Sequence, residues 1–291
     1  MNSSQIPYGS GEVKSVTTDW LQEHLGSKAL MILDTQPDIH DYIQVHIPGA
    51  VYLAEKTMRV PLHGTPGMWI PQEAAQALFQ RLGLDSTLAV VVYTGKGLIK
   101  GWGDGLEQTM VAYSLVRFGH DNVCLLDGGL DKWLQEKRPT TQVFPKVKDS
   151  SFEAITRFDL FVKYEEFRHT KDDEGVILLD ARPSNVYRGE GPWIRNGHIP
   201  GAVNLPWKGQ MDVANPTLLR PIDEIRKTVE AKGATPDKLV ICSCGTGREA
   251  TNEYILFKHI LRYPEVRLYE GSFTEWSSYP ENPVVTGPNP R

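Results

Sequence analysis

The chain has only three cysteines, Cys124, Cys242 and Cys244, among 291 residues. So few exclude a disulfide framework at this length and fit a reducing compartment. There is no run of 18 apolar residues, so no membrane span is expected. Met1 to Lys14 are polar and hold no hydrophobic signal core. The expectation is a cytoplasmic protein, the alternative a periplasmic one from which a leader has been removed. Positive charge is not in excess: 31 Lys and Arg stand against 36 Asp and Glu, a formal net charge of −5. That sign argues against a nucleic-acid or anionic-membrane partner, so any anion site must be made locally. No second Cys or His pair follows Cys242-Ser243-Cys244, so neither a metal nor a cofactor is expected. What remains is an ordinary globular composition, 40% apolar and 23% charged, long enough for two domains.

The stretch Lys238-Leu239-Val240-Ile241-Cys242-Ser243-Cys244-Gly245-Thr246-Gly247-Arg248 organises the rest. An apolar β-type run stops at a cysteine, turns through two glycines and continues as a helix. Ala250, Tyr254, Phe257 and Leu261 recur at helical spacing, so that helix buries one face. Cys244 therefore stands where a strand hands over to a helix N-terminus, and the free amides gathered there favour a thiolate. Glu249, in the first helical turn, is expected to point outward.

A repeat runs through the chain. Leu30 to Asp34 reads as a buried strand and returns as Val176 to Asp180. His46-Ile47-Pro48-Gly49-Ala50-Val51 returns residue for residue as His198-Ile199-Pro200-Gly201-Ala202-Val203. Leu88 to Tyr93 is a continuous apolar strand, matched by Leu239 to Cys242. Asp127-Gly128-Gly129 with Trp133 is echoed by Glu270-Gly271-Ser272 with Trp276. The offsets are nearly constant: His46 to His198 is 152 residues, Thr94 to Cys244 is 150, and Trp133 to Trp276 is 143. Such spacing implies two copies of one α/β unit. The domains are expected at 1–138 and 152–291, with a linker over 139–151 of turn-forming, aperiodic composition. Leu62 to Pro71, rich in Pro and Gly, reads as a loop.

The copies differ at the decisive position. Aligning Gly95-Lys96-Gly97 on Gly245-Thr246-Gly247 puts Thr94 opposite Cys244, so the first copy lacks the thiol. The seven extra residues of the first copy fall within the Gly-rich loop from Gly97 to Gly105.

With Asp180-Ala181-Arg182-Pro183, the His198 turn, Cys244-Gly245-Thr246-Gly247, and Glu270-Gly271-Ser272 with Trp276, the chain resembles the tandem-domain rhodanese family of sulfurtransferases from about Leu30 to Tyr279. The resemblance implies two α/β rhodanese-like domains, each a central, mostly parallel sheet flanked by helices. It implies an inactive N-terminal domain and a catalytic C-terminal one. The reaction it implies carries a sulfane sulfur from thiosulfate to cyanide or a thiol through a persulfide on Cys244. The alternatives are 3-mercaptopyruvate as donor, or a persulfide carrier or docking module that does not turn over.

The implied donors are small anions, so cations are expected at the mouth. Arg248 lies in the loop, and Arg188 and Arg195 match the family's substrate-binding arginines. The backbone of Gly245, Thr246 and Gly247 would cradle the sulfur. Thr246 matches a hydroxyl that, in the mercaptopyruvate branch, is linked to a histidine of the first domain. His46 and His198, present in both copies, read as fasteners of their turns. Cys242 and Cys124 read as core residues. A protein sulfur acceptor is a further possible partner. A phosphatase of the Cys-plus-six-Arg type is disfavoured, since position 250 is Ala250.

Overall fold

The computed structural model describes residues 13–62 and 64–291. Of the polar N-terminal stretch read above, residues 1–12 lie outside them.

In chain order the first half contains β1 (Lys14–Val16), α1 (Thr18–Glu23), β2 (Leu30–Asp34), α2 (Ile39–Gln44), β3 (Val51–Tyr52), β4 (Arg59–Leu62) and β5 (Thr65–Trp69). It continues with α3 (Gln72–Arg81), β6 (Ala89–Tyr93), α4 (Leu106–Arg117), β7 (Val123–Leu126) and α5 (Gly129–Gln135). The second half contains β8 (Phe161–Val162), α6 (Tyr164–Thr170), β9 (Val176–Asp180), α7 (Ser184–Arg188), β10 (Val203–Asn204) and α8 (Ile222–Ala231). It ends with β11 (Leu239–Ser243), α9 (Arg248–Ile255), a π turn over Leu256–Ile260, β12 (Val266–Tyr269) and α10 (Ser272–Ser278).

Each half builds one five-stranded parallel sheet. The orders are β1-β7-β6-β2-β3 and β8-β12-β11-β9-β10, which are the same path through the same five positions. Parallel neighbours need crossover helices, and these cover the faces, so the middle strands are apolar throughout. All five residues of β6 are buried, as are four of the five in β11. Val91, Tyr93, Leu126 and Trp133 lie in the core of the first sheet; Leu178, Ile241, Phe273 and Trp276 lie in that of the second.

The register makes the repeat atomic. Tyr93 pairs with Asp34, and Ser243 pairs with Asp180. The next residues, Thr94 and Cys244, accept equivalent backbone bonds from Leu130 (2.8 Å) and Phe273 (3.0 Å). The His turns are equivalent too. His46 stacks on Tyr42 with its ring nitrogens facing the carbonyls of Tyr42 and Val143; His198 stacks on Tyr187 and faces those of Tyr187 and Asn289. Trp133 and Trp276 each donate Nε1–H to a carbonyl six or seven residues on, Pro139 and Pro283, at 2.8 Å.

Compact packing does not follow the chain order. One unit runs from the start of the described residues to Met58 and includes Ile70–Arg157 and Val213–Leu219. The other comprises Arg59–Trp69, Phe158–Asp212 and Arg220–Arg291. The stretch read as a linker packs on the first unit, the Ser150 amide donating to the Gln80 carbonyl at 2.9 Å; just beyond it, the amides of Ile155 and Arg157 donate to the carbonyls of Phe118 and Arg117 at 3.0 and 2.8 Å. The first unit therefore extends past the expected boundary, to Arg157. The segment read as a Pro- and Gly-rich loop is instead largely an antiparallel hairpin, β4–β5, with Arg59 opposite Trp69 and Val60 opposite Met68. An isolated ribbon tolerates Pro61 and Pro66, because each strand has an unpaired edge. The hairpin belongs to the second unit, although it lies in the first half of the chain.

Candidate functional site

β11 delivers Cys244 to the sheet's C-terminal edge, and Gly247, at φ 87°, starts α9. That left-handed conformation is cheap only for glycine. It turns the chain back so that the Gly247 amide donates to Cys244 Sγ at 3.1 Å. The amides of Thr246 and Ala250 also donate to the sulfur. Ser272, held at φ 50°, receives the Cys244 N–H on its Oγ at 3.1 Å, and that oxygen is 4.0 Å from Sγ. Its counterpart in the first unit is Gly129, at φ 56°. A ring of backbone donors around one sulfur can stabilise an anion on it.

The sulfur's surroundings also contain an acid. Cys244 is wholly buried, and burial pushes its thiol well above the usual range. The charge of Glu249 and a hydrogen bond from the thiol to its carboxylate push the same way, against the loop amides. Two expectations are corrected here. The resting thiol is neutral, because desolvation outweighs the amides. Glu249 faces the sulfur rather than solvent. The cause is helical geometry: Glu249 and Glu253 lie four apart on one face of α9, and Glu253 is fully buried. Glu253 has neither carboxylate oxygen hydrogen-bonded, and burial raises it well above the usual carboxylate range.

Side chains wall the loop. A Cβ on Gly245 would come within 2.6 Å of the Trp193 ring, so the first loop glycine is required by close approach. Trp193 Nε1–H donates to Thr274 Oγ1 at 2.9 Å, and that hydroxyl donates to the Gly245 carbonyl at 2.7 Å. Beneath them, Arg182 forms a buried two-nitrogen pair with Asp180 and donates to the Gly197 carbonyl. Its guanidinium lies 5.1 Å from the Trp193 ring centre and 4.3 Å from that of Phe273. On another side stands the hairpin. Arg59 donates to the carbonyl and, at 3.4 Å, to the hydroxyl of Thr246, and buried Trp69 comes within 3.1 Å of where a Gly247 Cβ would be.

The arginines expected from sequence have separate fates. Arg248 opens α9 immediately after the loop and is half-buried. Arg188 ends α7 and is exposed. Arg195 is half-buried and donates to the carbonyls of Tyr279 (2.8 Å) and Asn282, which ties its loop to the chain end. Cys242 and Cys124 are buried core thiols raised by desolvation. In the first unit, Thr94 Oγ1 donates to the Thr35 carbonyl at 3.2 Å and lies 3.5 Å from Glu107. Glu107 is the second residue of α4, as Glu249 is of α9, so the acid occurs in both copies and the thiol in one. Among the described residues, no three His, Cys, Asp or Glu side chains gather as a metal site, and no helix is long and apolar enough to cross a membrane. Sequence reasoning missed Arg59, Trp69 and Trp193. Only the tryptophans carried a signal, as large apolar residues in Pro- and Gly-rich stretches.

The family model described as "Rhodanese-like domain" matches this chain twice, over residues 17–136 and 163–279. The chain belongs to the rhodanese family. Its two rhodanese domains share one topology, and only the second carries a cysteine after the central strand. Relatives place it among sulfurtransferases. It is 38% identical over 288 residues to a putative thiosulfate sulfurtransferase of Synechococcus elongatus, covering 95% of this chain and 86% of that one. It is 31% identical to the sulfur carrier protein TtuD of Thermus thermophilus, covering 94% and 96%. Among solved structures, SseA of Escherichia coli, described as a 3-mercaptopyruvate sulfotransferase, superposes with a TM-score of 0.79 at 26% identity, covering 90% of this chain and 99% of that one.

Proposed function

We propose that this rhodanese is a thiosulfate sulfurtransferase that works through a persulfide on Cys244. The supporting observation is the sulfur itself, ringed by the amides of Thr246, Gly247 and Ala250 with a carboxylate at hand to take its proton. In the first half-reaction, Glu249 accepts the thiol proton. The Cys244 thiolate attacks the outer sulfur of thiosulfate, the S–S bond breaks, and sulfite leaves with the electron pair. The amides then hold the persulfide anion. In the second, cyanide or a thiolate attacks the outer sulfur and the Cys244 thiolate departs, to be reprotonated by Glu249. Arg248 and Arg188 are assigned to the donor's charge; Arg195, held by two carbonyls, is assigned to the loop. The first rhodanese domain, with Thr94 in the nucleophile's place, is assigned no chemistry. A protein thiol is an acceptor of the same chemical class, consistent with a relative named as a sulfur carrier.

Glu249 favours a second reading of the donor. A carboxylate beside the sulfur opposes a dianion more than a monoanion, and 3-mercaptopyruvate presents one carboxylate. His46, engaged with two backbone carbonyls, does not supply the histidine link that the mercaptopyruvate branch implied. Mass spectrometry after incubation with thiosulfate should show one added sulfur on the peptide holding Cys244, and C244S should show none. Side-by-side kcat/KM for thiosulfate and 3-mercaptopyruvate decides the donor. A single stoichiometric transfer without turnover would leave the carrier.

A further inference from the structure

One amide that donates to the nucleophile belongs to the peptide between Thr246 and Gly247. In a trans peptide the C=O and N–H point in opposite directions, and the described chain has no cis bond. Whatever holds the Thr246 carbonyl outward therefore aims the Gly247 N–H inward, at Sγ 3.1 Å away. The partner of that carbonyl is Arg59: Nη2 donates to it, and Nη1 donates to Thr246 Oγ1 at 3.4 Å. We propose that Arg59, on the β4–β5 hairpin, is a positioning residue that fixes the orientation of the Thr246–Gly247 peptide and so sets the nucleophilicity of Cys244.

The hairpin holds the guanidinium for this task. Nε donates to the Gly67 carbonyl at 2.6 Å, and the guanidinium lies 5.4 Å from the Trp69 ring centre. Trp69 is itself buried against Gly247. A glycine with positive φ is the residue at which a turn peptide flips most readily, since it tolerates both signs of φ. Flipped, the peptide would present its carbonyl to the sulfur and repel a thiolate or persulfide. A charged donor on the outer oxygen opposes that flip, and it strengthens the N–H on the far side by polarising the amide. The effect reaches the sulfur through the peptide, without contact between Arg59 and Sγ.

The inference rests on Cys244 being the nucleophile, and its test separates the two. The rate of Cys244 alkylation by iodoacetamide, followed by peptide mass from pH 6 to 10, reports the sulfur without any donor. C244S gives the background and tests the nucleophile assignment by its own loss of transfer. In R59A the alkylation profile over that range, which lies below the raised midpoint, should shift down about tenfold in rate. kcat should fall with it, and millimolar guanidinium should restore part of both. R59Q, which keeps length and one donor, should show the same shift should R59A fold poorly; R59K, which keeps charge but not the fork, should fall between. An alkylation profile in folded R59A or R59Q that overlies the parent's overturns the proposal, whatever happens to KM. A rise in KM alone would make Arg59 a donor-binding group instead.

Discussion

The carboxylate of Glu249, the second residue of α9, accepts a hydrogen bond from the thiol of Cys244, the first residue beyond β11. This contact places a base and an anion in one group, and the two roles have opposite consequences for the reaction. As an anion Glu249 holds the thiol protonated; as a base it is where the proton goes when attack begins.

Replacing Glu249 separates these roles. In E249Q the thiol should ionise at lower pH, because a charge that opposes the thiolate is gone. Alkylation below pH 8 should then speed up. Turnover should still slow, by about 10-fold to 100-fold, since no base remains beside the sulfur. KM for thiosulfate should fall. The check is the pair of measurements: slower alkylation together with slower turnover would mean that Glu249 acts only on loop shape.

The pseudo-equivalent residues Thr94 and Cys244 should behave unequally. C244S should lose all transfer and the added sulfur while keeping its far-ultraviolet circular dichroism. T94A should keep transfer within about twofold, losing one buried hydrogen bond worth about 1 kcal/mol. Steady-state sulfite release measures both, and a collapse in T94A comparable to that of C244S would return chemistry to the first domain.

Gly247 should not tolerate alanine. The residue stands at φ 87°, and a Cβ there would come within 2.8 Å of the Glu270 carbonyl and 3.1 Å of Trp69. G247A should cost about 1–2 kcal/mol from backbone conformation alone, and more activity than stability, because the amide that moves is the one on Sγ. Denaturant midpoints set beside kcat test this; equal effects on both would count against the amide's role.

Buried Glu253 predicts a pH dependence of stability. Its folded pKa is raised above the unfolded value of 4.5, chiefly by burial and then by Asp180 and Glu249. Its stabilising share is full below about pH 4.5 and is lost as pH rises toward the folded value, at up to about 1.4 kcal/mol per pH unit. E253M, similar in length and apolar, should therefore gain on the parent as pH goes from 5 to 8. Urea midpoints at several pH values give the comparison, and parallel curves would mean that Glu253 is not held neutral in the folded state.

Local pattern carried far in this chain. The two copies, the central strands β6 and β11, the cysteine at the strand end and the helix beyond it all follow from spacing. Apolar runs and 3.6-residue periods specify an element whatever it packs against. The fastening roles of His46 and His198 were readable because both copies hold the residue and only one holds the thiol; the carbonyls their Nε2 atoms face, Val143 and Asn289, lie 97 and 91 residues on and were not. The short edge strands β1 and β8 were not, since strands of two or three residues leave no period to detect.

The sequence alone determined which residues share a face and where the thiol sits along the chain. Packing decided what those faces meet. Arg59 and Thr246 are 187 positions apart, and no local spacing relates them. Arg195, expected from sequence to meet an anion, also donates to two carbonyls 84 and 87 positions away, which no local spacing announces. Glu249 looked outward until α9 was laid on the sheet by its buried face, which carries Glu249 inward with Glu253. Burial then reversed the thiol's resting charge, because the cost of desolvating an ion is set by everything packed around it rather than by its neighbours in the chain.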